Sequence, residues 1–406
     1  MKGHIRERSP GRWAIVLDLK DPQTGERRRK WHSFSGTKRQ AQSECARLIT
    51  QVESGLYQEP AKTTLADYLE TWLESHRANV APRTFERYSQ IVRATIVPHL
   101  GAASLSKLAP QQISAAYAKA LRSGRRDGKG GLSSRSVLHM HRVLRLALEQ
   151  ALQWGLILRN PADLAKPPRV ERKSMLALDA AGTAALLAHF RPTRMYIPVL
   201  LAALCGLRRG EIAALRWKHI EFDGAALSVS ESLEQTKAGV RRKETKNSRA
   251  RSVAIPALVL LELRQHRARQ AEEMLKLGVR LDGDFPVVAR EDGASLQPNS
   301  LTHEFVRILA QSSLQRIRFH DLRHSHATQL LASGVHPKIA QERLGHSTIA
   351  ITLDLYSHVM PGMQADAAAR VDSAMSQAIE AESRKPRGIG SKAVANRELN
   401  GSRKSR

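Results

Sequence analysis

Arg318-Phe319-His320-Asp321-Leu322-Arg323-His324-Ser325-His326-Ala327-Thr328 is the stretch on which the reading of this chain turns. His320 and Arg323 stand three residues apart in it, hence on one face of a helix. Leu344-Gly345-His346-Ser347 follows, and then Tyr356 within Leu355-Tyr356-Ser357-His358. Upstream, Cys205-Gly206-Leu207-Arg208-Arg209-Gly210-Glu211-Ile212 supplies another arginine. A phosphodiester under attack exposes two non-bridging oxygens, needs an oriented nucleophile and needs a proton for its leaving oxygen. These stretches hold a candidate for most of those needs.

Charge points to the same substrate. The chain has 406 residues and a formal net charge of +27, from 65 Lys+Arg against 38 Asp+Glu. Such an excess favours a polyanionic partner. A basic tail does not account for it, since residues 383–406 hold eight Lys/Arg and one Glu. Nucleic acid fits this balance better than an anionic membrane surface. The two cysteines, Cys45 and Cys205, fall in different predicted domains and form no metal-ligand cluster. A reduced intracellular setting follows. No apolar run reaches the roughly 20 residues of a membrane span, and no signal-peptide core opens the chain.

The pattern Gly-Leu-Arg-x-x-Glu, a lysine in a β-hairpin, His-x-x-Arg, Gly-His and a later tyrosine resembles that of the tyrosine recombinase (phage integrase) family. Those positions read Arg208 and Glu211, Lys246, His320 and Arg323, His346, and Tyr356, ten residues after His346. A lone His-x-x-Arg is common; the whole series in this order is specific. The resemblance implies a multidomain, mainly α fold: a clamp around duplex DNA with a mainly α catalytic domain carrying a small β-sheet.

The organisation along the chain agrees. Residues 1–58 read as a small α+β module. Trp13-Ala14-Ile15-Val16-Leu17 and the alternating Arg29–Phe34 predict strands, Asp21–Gly25 a turn, and Thr37 the cap of a helix to about Ser54. Its twelve Lys/Arg against six Asp/Glu make it basic. It resembles the three-stranded arm-type DNA-binding domain that precedes many integrase cores, and Lys38 and Arg39 are candidate DNA contacts. Residues 63–165 read as a helical core-binding domain. Thr64 starts one helix, Pro82 a second over about Thr84–Ile96, Pro110 a third, and Ser133–Gln153 forms the last. On that last helix Val137, Leu144 and Leu148 are core positions, and Arg135, His139, Arg142 and Arg145 offer a basic face, of which the three arginines are candidate DNA contacts. The proline-rich Ala165–Ser174 is the expected linker. The catalytic domain then spans residues 175–382, with strands near Leu227–Glu231, Val240–Glu244 and Ser252–Ile255. Residues 383–406 read as a basic, disordered tail.

The chemistry divides among these residues. Tyr356 is the predicted nucleophile; its phenol has a reference pKa near 10 and must lose its proton as it attacks phosphorus. The product would be a 3′-phosphotyrosine, which keeps most of the phosphodiester's free energy, so that rejoining needs neither ATP nor metal. Arg208 and Arg323 are the expected phosphate clamp, because guanidinium donates parallel hydrogen bonds in a planar fork. Lys246, in the polar turn Glu244–Arg251, is the candidate general acid for the 5′-oxygen, with Lys243 and Lys237 as rivals. The resemblance implies that His320 accepts the tyrosine proton or holds the phosphate, that His346 hydrogen-bonds a non-bridging oxygen, and that Glu211 supports the site from behind. His324 and His326 read as packing groups or as groups that support the site from behind, Arg209 as having no catalytic part, Arg216 as structural. A catalytic metal is not expected: no Glu follows His320 as in His-Glu-x-x-His, and the arginines would repel a divalent cation.

Double-stranded DNA at specific attachment sites is the expected partner, engaged by four protomers, with accessory directionality or DNA-bending proteins as further partners and no membrane. Val371, Met375 and Ile379 recur every four residues, an apolar stripe of the kind that docks on a neighbouring protomer in the family. A cytoplasmic, nucleoid-associated location follows. A resolvase would share the motif, and a DNA-binding protein that had lost catalysis would share the fold. The N-terminal module favours an integrase of a phage or other mobile element, and the intact Arg208, Lys246, His320, Arg323, His346 and Tyr356 set favours an enzyme.

Overall fold

The computed structural model describes residues 3–20, 27–53, 63–171, 176–244, 250–356 and 363–384. The predicted turn at Asp21–Gly25, Lys246 and the tail from Lys385 onward lie outside them. The chain divides into two compact units, Met1–Ser174 with Glu234–Arg241, and Met175–Leu233 with Arg242–Arg406.

In the first unit, strands β1 (Gly3–Ser9), β2 (Arg12–Lys20) and β3 (Arg27–Ser35) form an antiparallel sheet in that order, covered by helix α1 (Lys38–Glu53). Ile15 and Leu17 pack with Cys45 and Leu48 of α1, and Ile5, Phe34 and Ile49 close the edge. Thr37 caps α1 as expected: its Oγ1 accepts from Gln40 N at 3.3 Å, while Gln40 Oε1 accepts from Thr37 N at 2.9 Å. The sequence-based strands become β2 and β3. β1 was not read from its residues, because His4, Arg6, Glu7 and Arg8 leave little apolar signal on this edge strand.

The helical part of this unit contains α2 (Leu65–Arg77), α3 (Pro82–Ile91), α4 (Val97–Leu100), α5 (Pro110–Ser123) and α6 (Ser134–Gln153). A capping box between Thr64 and Asp67 fixes the start of α2. Val137, Met140, Leu144, Ala147, Leu148 and Ala151 of α6 are wholly buried against Leu65, Leu69, Trp72 and Ile113. The helix expected over Thr84–Ile96 is not continuous. A π-turn at Val92–Ile96 lies between α3 and α4, with Val97 N bonded to Val92 O. Pro98, lacking an N–H, cannot extend the ordinary ladder, and the extra residue keeps both Val92 and Ile96 in the core.

The second unit holds α7 (Ala180–Phe190), α8 (Tyr196–Leu204), α9 (Arg209–Ala214), the sheet β4 (Ile220–Glu221), β5 (Ala226–Val229) and β8 (Arg251–Ala254), and α10 (Ala257–Lys276) to α15 (Met363–Ser383). The hairpin of β6 (Glu231–Thr236) and β7 (Gly239–Glu244), whose Glu234–Arg241 belongs to the first unit, forms its own two-stranded sheet, so the strand expected over Leu227–Glu231 is divided between β5 and β6. α8 is apolar all round, as a central helix must be; it packs against α7, α10 and α12 (Phe319–Ala332). α11 (Pro298–Leu309) adds Phe305, stacked on Phe190. α13 (Pro337–Leu344) and α14 (Ile349–Tyr356) then fold against each other and against α12. Among the described residues no helix is long and apolar enough to cross a membrane.

Candidate active site

Two glycines let four elements of the second unit converge. Gly206, at φ +68°, ends α8, and a Cβ there would stand 2.7 Å from the His326 ring. Gly345, at φ +63°, ends α13, and a Cβ there would meet the Arg251 guanidinium at 3.0 Å. Each glycine therefore supplies both a left-handed turn and room for a side chain. The backbone carbonyls beside them seat the two predicted clamp arginines. Arg323 Nη1 donates to Gly206 O at 2.5 Å, and its Nη2 donates to Leu344 O. Arg208 Nη2 donates to Gly345 O at 2.5 Å. Arg323 is 2% exposed, whereas the Arg208 side chain keeps 39% of its surface open to solvent.

Glu211, one turn after Arg208, is buried, but not in a simple intrahelical pair. Its Oε1 accepts from Arg208 Nη1 at 2.8 Å and from Arg251 Nη1 at 2.9 Å, and its Oε2 accepts from Arg251 Nη2 at 2.6 Å and from Arg208 N at 2.8 Å. Burial raises the cost of its charge, yet the Arg251 hydrogen bonds and charge, with Arg208, hold its carboxyl down at about 2. Arg251 also donates from Nε to Arg343 O at 3.0 Å. Arg343 in turn donates to His326 Nε2 at 3.1 Å, to Ala254 O and to Leu204 O.

Arg251 and Arg343 are structural partners of the site that the sequence reading missed. A signal for the first existed. Arg251 shares strand parity with the buried Val253 and Ile255, so it points inward with them. No comparable local pattern marks Arg343.

His320, His324 and His346 stand in the field of these arginines. Desolvation lowers the His320 pKa, and His324, Arg323 and Arg208 lower it further, although one side of the residue is open to solvent. Its ring meets that of His324 edge to face at 4.8 Å. Desolvation, then Arg323 and Arg208, push His346 down to about 3. Its Nδ1 lies 3.0 Å from Thr352 Oγ1. Burial likewise takes Arg323 down to about 9, with Arg208 and Arg251 adding to the effect, which still leaves it charged at neutral pH. His326 is buried and bonded to Arg343.

Arg208, Arg323, His320 and His346 are thus brought together. Tyr356 is the last residue of α14, with its side chain outside the described part, as is Lys246. Arg209 donates to Thr302 Oγ1 at 2.7 Å, away from Glu211, and Arg216 pairs with Asp284 at 2.6 Å. Asp321 caps its own helix through Arg318. Among the described residues no three His, Cys, Asp or Glu side chains gather as a metal-binding group.

Of the candidate DNA contacts, Lys38 and Arg39 are exposed on the first turn of α1. Arg135 and Arg142 of α6 are exposed and, with Arg87, lower the His139 pKa after desolvation does, so the three cluster around it. Arg145, also exposed, stands in an ion pair with Asp163 at 2.6 Å.

Comparison with known proteins agrees with this picture. Residues 178–362 match the model of the phage integrase family, and residues 64–121 match the N-terminal SAM-like domain of phage integrases. The chain is similar to a XerC-like tyrosine recombinase of Caldanaerobacter subterraneus subsp. tengcongensis, 29% identical over 360 residues that cover 82% of this chain and 89% of the relative. It is similar to the ICEBs1 integrase of Bacillus subtilis, 26% identical, with 87% and 94% of the two chains covered. Among solved structures, the Tn1549 transposon integrase in complex with transposon right end DNA has a TM-score of 0.64 at 20% identity, with 76% of this chain and 99% of that one aligned. The lambda integrase tetramer bound to a Holliday junction has a TM-score of 0.52 at 19% identity, with 85% and 95% aligned. Fold, motif order and relatives converge: the chain belongs to the phage integrase family, the tyrosine recombinases of phages and mobile elements, and is an enzyme of DNA strand exchange.

Proposed function

We propose that this recombinase cuts and rejoins duplex DNA at specific attachment sites through a 3′-phosphotyrosyl intermediate on Tyr356. The observation that carries the reading is the convergence of Arg208, Arg323, His320 and His346, from the start of α9, α12 and the α13–α14 turn, around carbonyls that orient the two guanidiniums without neutralising them. The Tyr356 phenol attacks phosphorus and loses its proton, with His320 as the acceptor or as a phosphate ligand. Arg208, Arg323 and His346 bear the negative charge that develops on the non-bridging oxygens. Lys246 gives the leaving 5′-oxygen its proton. Attack of a 5′-hydroxyl on the phosphotyrosine reverses these steps and joins the new strands, so neither ATP nor metal enters.

Residues 1–58 act as an arm-type DNA-binding domain, 63–165 as the core-binding domain and 175–382 as the catalytic domain, with Lys38, Arg39, Arg135 and Arg142 as DNA contacts. Arg145, held by Asp163, is the weaker candidate. Assembly on DNA follows the tetramer named for the lambda enzyme, at the nucleoid in the cytoplasm, with directionality or DNA-bending proteins as accessory partners. The exposed Val371, Met375 and Ile379 of α15 support docking of that helix on a neighbouring protomer.

The test is a nicked duplex from the DNA adjoining the coding region, whose short 5′-hydroxyl fragment diffuses away after cleavage. The wild-type protein should remain bound to DNA after denaturation, in EDTA as without it. The Tyr356→Phe variant should bind this DNA but leave no adduct. Peptide mapping of the adduct to another tyrosine or to a serine would overturn the reading.

A further inference from the structure

The helix that ends in Tyr356 is inside out over Ile349–Leu353. Ile349, Ile351 and Leu353 of α14 are exposed, at 39%, 45% and 44%, while Thr352 is 0% exposed. Over Ile349–Leu353 the side chain turned into the protein is thus a hydroxyl, although apolar residues stand on either side of it. Burying a hydroxyl without a hydrogen bond costs free energy, and an isoleucine or valine would fill the same space without that cost. The partner that offsets it is His346: Thr352 Oγ1 lies 3.0 Å from Nδ1 of its ring. His346 itself sits just beyond the left-handed Gly345, with its backbone N bonded to Gln341 O at 3.1 Å and its carbonyl accepting from Gln341 Nε2 at 3.2 Å. The backbone of His346 is therefore fixed to α13, and the ring is fixed to α14.

We propose that Thr352 is a positioning residue: its hydroxyl donates to His346 Nδ1, leaves the ring proton on Nε2 for a phosphate oxygen, and links the seating of the nucleophile-bearing helix to that phosphate contact. The inference rests on the reading of Tyr356 as nucleophile and His346 as phosphate ligand. A neutral imidazole has one N–H and one bare nitrogen. If Nε2 is to donate to a phosphate oxygen, Nδ1 must be bare, and a hydroxyl that donates to it selects that tautomer. Burial, with Arg323 and Arg208 beside it, keeps His346 neutral at physiological pH, so the tautomer matters. Tyr356 lies one turn beyond Thr352 on α14. Docking of α14 and orientation of His346 are then a single event, because neither can be completed while the Thr352 bond is open.

The experiment compares Thr352→Val, which keeps the shape without the hydroxyl, with Thr352→Ser, which keeps the hydroxyl, both in the full chain. Nitrogen-15 NMR of histidine-labelled protein without DNA reads the ring nitrogens, with His346 assigned by its loss in His346→Ala. Wild type should show a bare Nδ1 and a protonated Nε2, and Thr352→Val should shift toward a mixture. On the nicked duplex, Thr352→Val should slow adduct formation roughly 10–100-fold, the usual effect of losing a partner that orients a functional histidine, with DNA affinity within about twofold on the same scale. Thr352→Ser should recover most of the rate. In a His346→Ala background, Thr352→Val should add less than about twofold, because coupled residues are not additive. A protonated Nδ1 in wild type, a wild-type rate in Thr352→Val, or additive losses in the double variant would each overturn the proposal. If Thr352→Val fails to fold, the wild-type nitrogen signals and the Thr352→Ser rate still decide it. A wild-type protein that forms no adduct, or a Tyr356→Phe protein that does, would overturn the nucleophile reading instead, and the NMR result would stand apart from it.

Discussion

Replacing Glu211 by Gln should destabilise the protein by about 3–5 kcal/mol, the usual cost of removing one partner of a buried ion pair. The carboxylate is 4% exposed and accepts four hydrogen bonds, from Arg251 Nη1 and Nη2, Arg208 Nη1 and the Arg208 backbone. Its pKa gives a second route to the magnitude. A fall from 4.5 to about 2 corresponds to about 3 kcal/mol of interaction with the charged form. Because the folded pKa lies below the unfolded one, this stability is present above pH 4.5 and is lost as pH falls from 4.5 toward 2. For a unit of this size the variant should unfold some 6–20 °C lower at pH 7, at roughly 2–4 °C per kcal/mol. The gap should narrow as pH is lowered from 4.5 toward 3. Glutamine also leaves the Arg208, Arg251 and Arg323 guanidiniums without a carboxylate, so an added phosphate should help the variant more than the wild type. DNA should therefore raise the variant's unfolding temperature by more. Thermal unfolding followed by circular dichroism, with and without duplex, measures both effects. An unfolding temperature within a degree of wild type at pH 7, or equal stabilisation of both proteins by DNA, would refute the argument.

Arg251→Met should cost about as much stability as Glu211→Gln, and the double variant much less than the sum, since both remove one ion pair; urea unfolding of the three proteins checks it. Burial and Arg343 hold His326 down at about 4, below its unfolded value. Stability is therefore complete above about pH 6.5 and lost as pH falls toward 4. A decline of about 2 kcal/mol between pH 7 and pH 5, reduced in His326→Gln, should appear in urea unfolding. Deleting residues 1–62 should weaken binding to some DNA sites more than to others and reduce the slope of log affinity against log salt; an unchanged slope in gel-shift titrations would argue against an arm-type role. Deleting residues 362–406 should weaken synapsis and cooperative binding more than single-site binding, and equal losses in both assays would count against docking of α15 on a neighbour.

Local pattern carried much of the fold. The caps at Thr37, Thr64 and Ser133 and the apolar rows of α2 and α6 are relations between residues three and four apart, and such relations are visible without coordinates. The same holds for Arg208 with Glu211 and for His320 with Arg323. What was not legible depends on distant parts of the chain. Arg251 meets Glu211 across forty positions because β8 returns beside β5, and Arg343 reaches Leu204 O across 139. The π-turn after Ile91 was missed because Val92 and Ile96 fit an ordinary helical row as well. Thr352 escaped notice because a lone threonine among Ile349, Ile351 and Leu353 carries no local sign of burial or of a histidine partner six residues before it.

The pairing around Glu211 also explains why the site has three arginines within reach of one carboxylate. Arg323 feels Arg208, Glu211 and Arg251 together. Arg251 takes up the Glu211 charge through two hydrogen bonds at 2.9 and 2.6 Å. Arg208 shares that carboxylate, but its second Nη, like both Nη atoms of Arg323, is held by carbonyl oxygens. A carbonyl dipole fixes the plane of a guanidinium while leaving its charge in place, whereas a second carboxylate would compete with DNA for it. The cluster therefore keeps two uncompensated positive charges. A phosphodiester bears one negative charge, and a second develops as a phenolate attacks it. On the proposed mechanism the charge of this site matches the pentacoordinate transition state better than the bound substrate, which is the condition under which binding energy lowers a barrier.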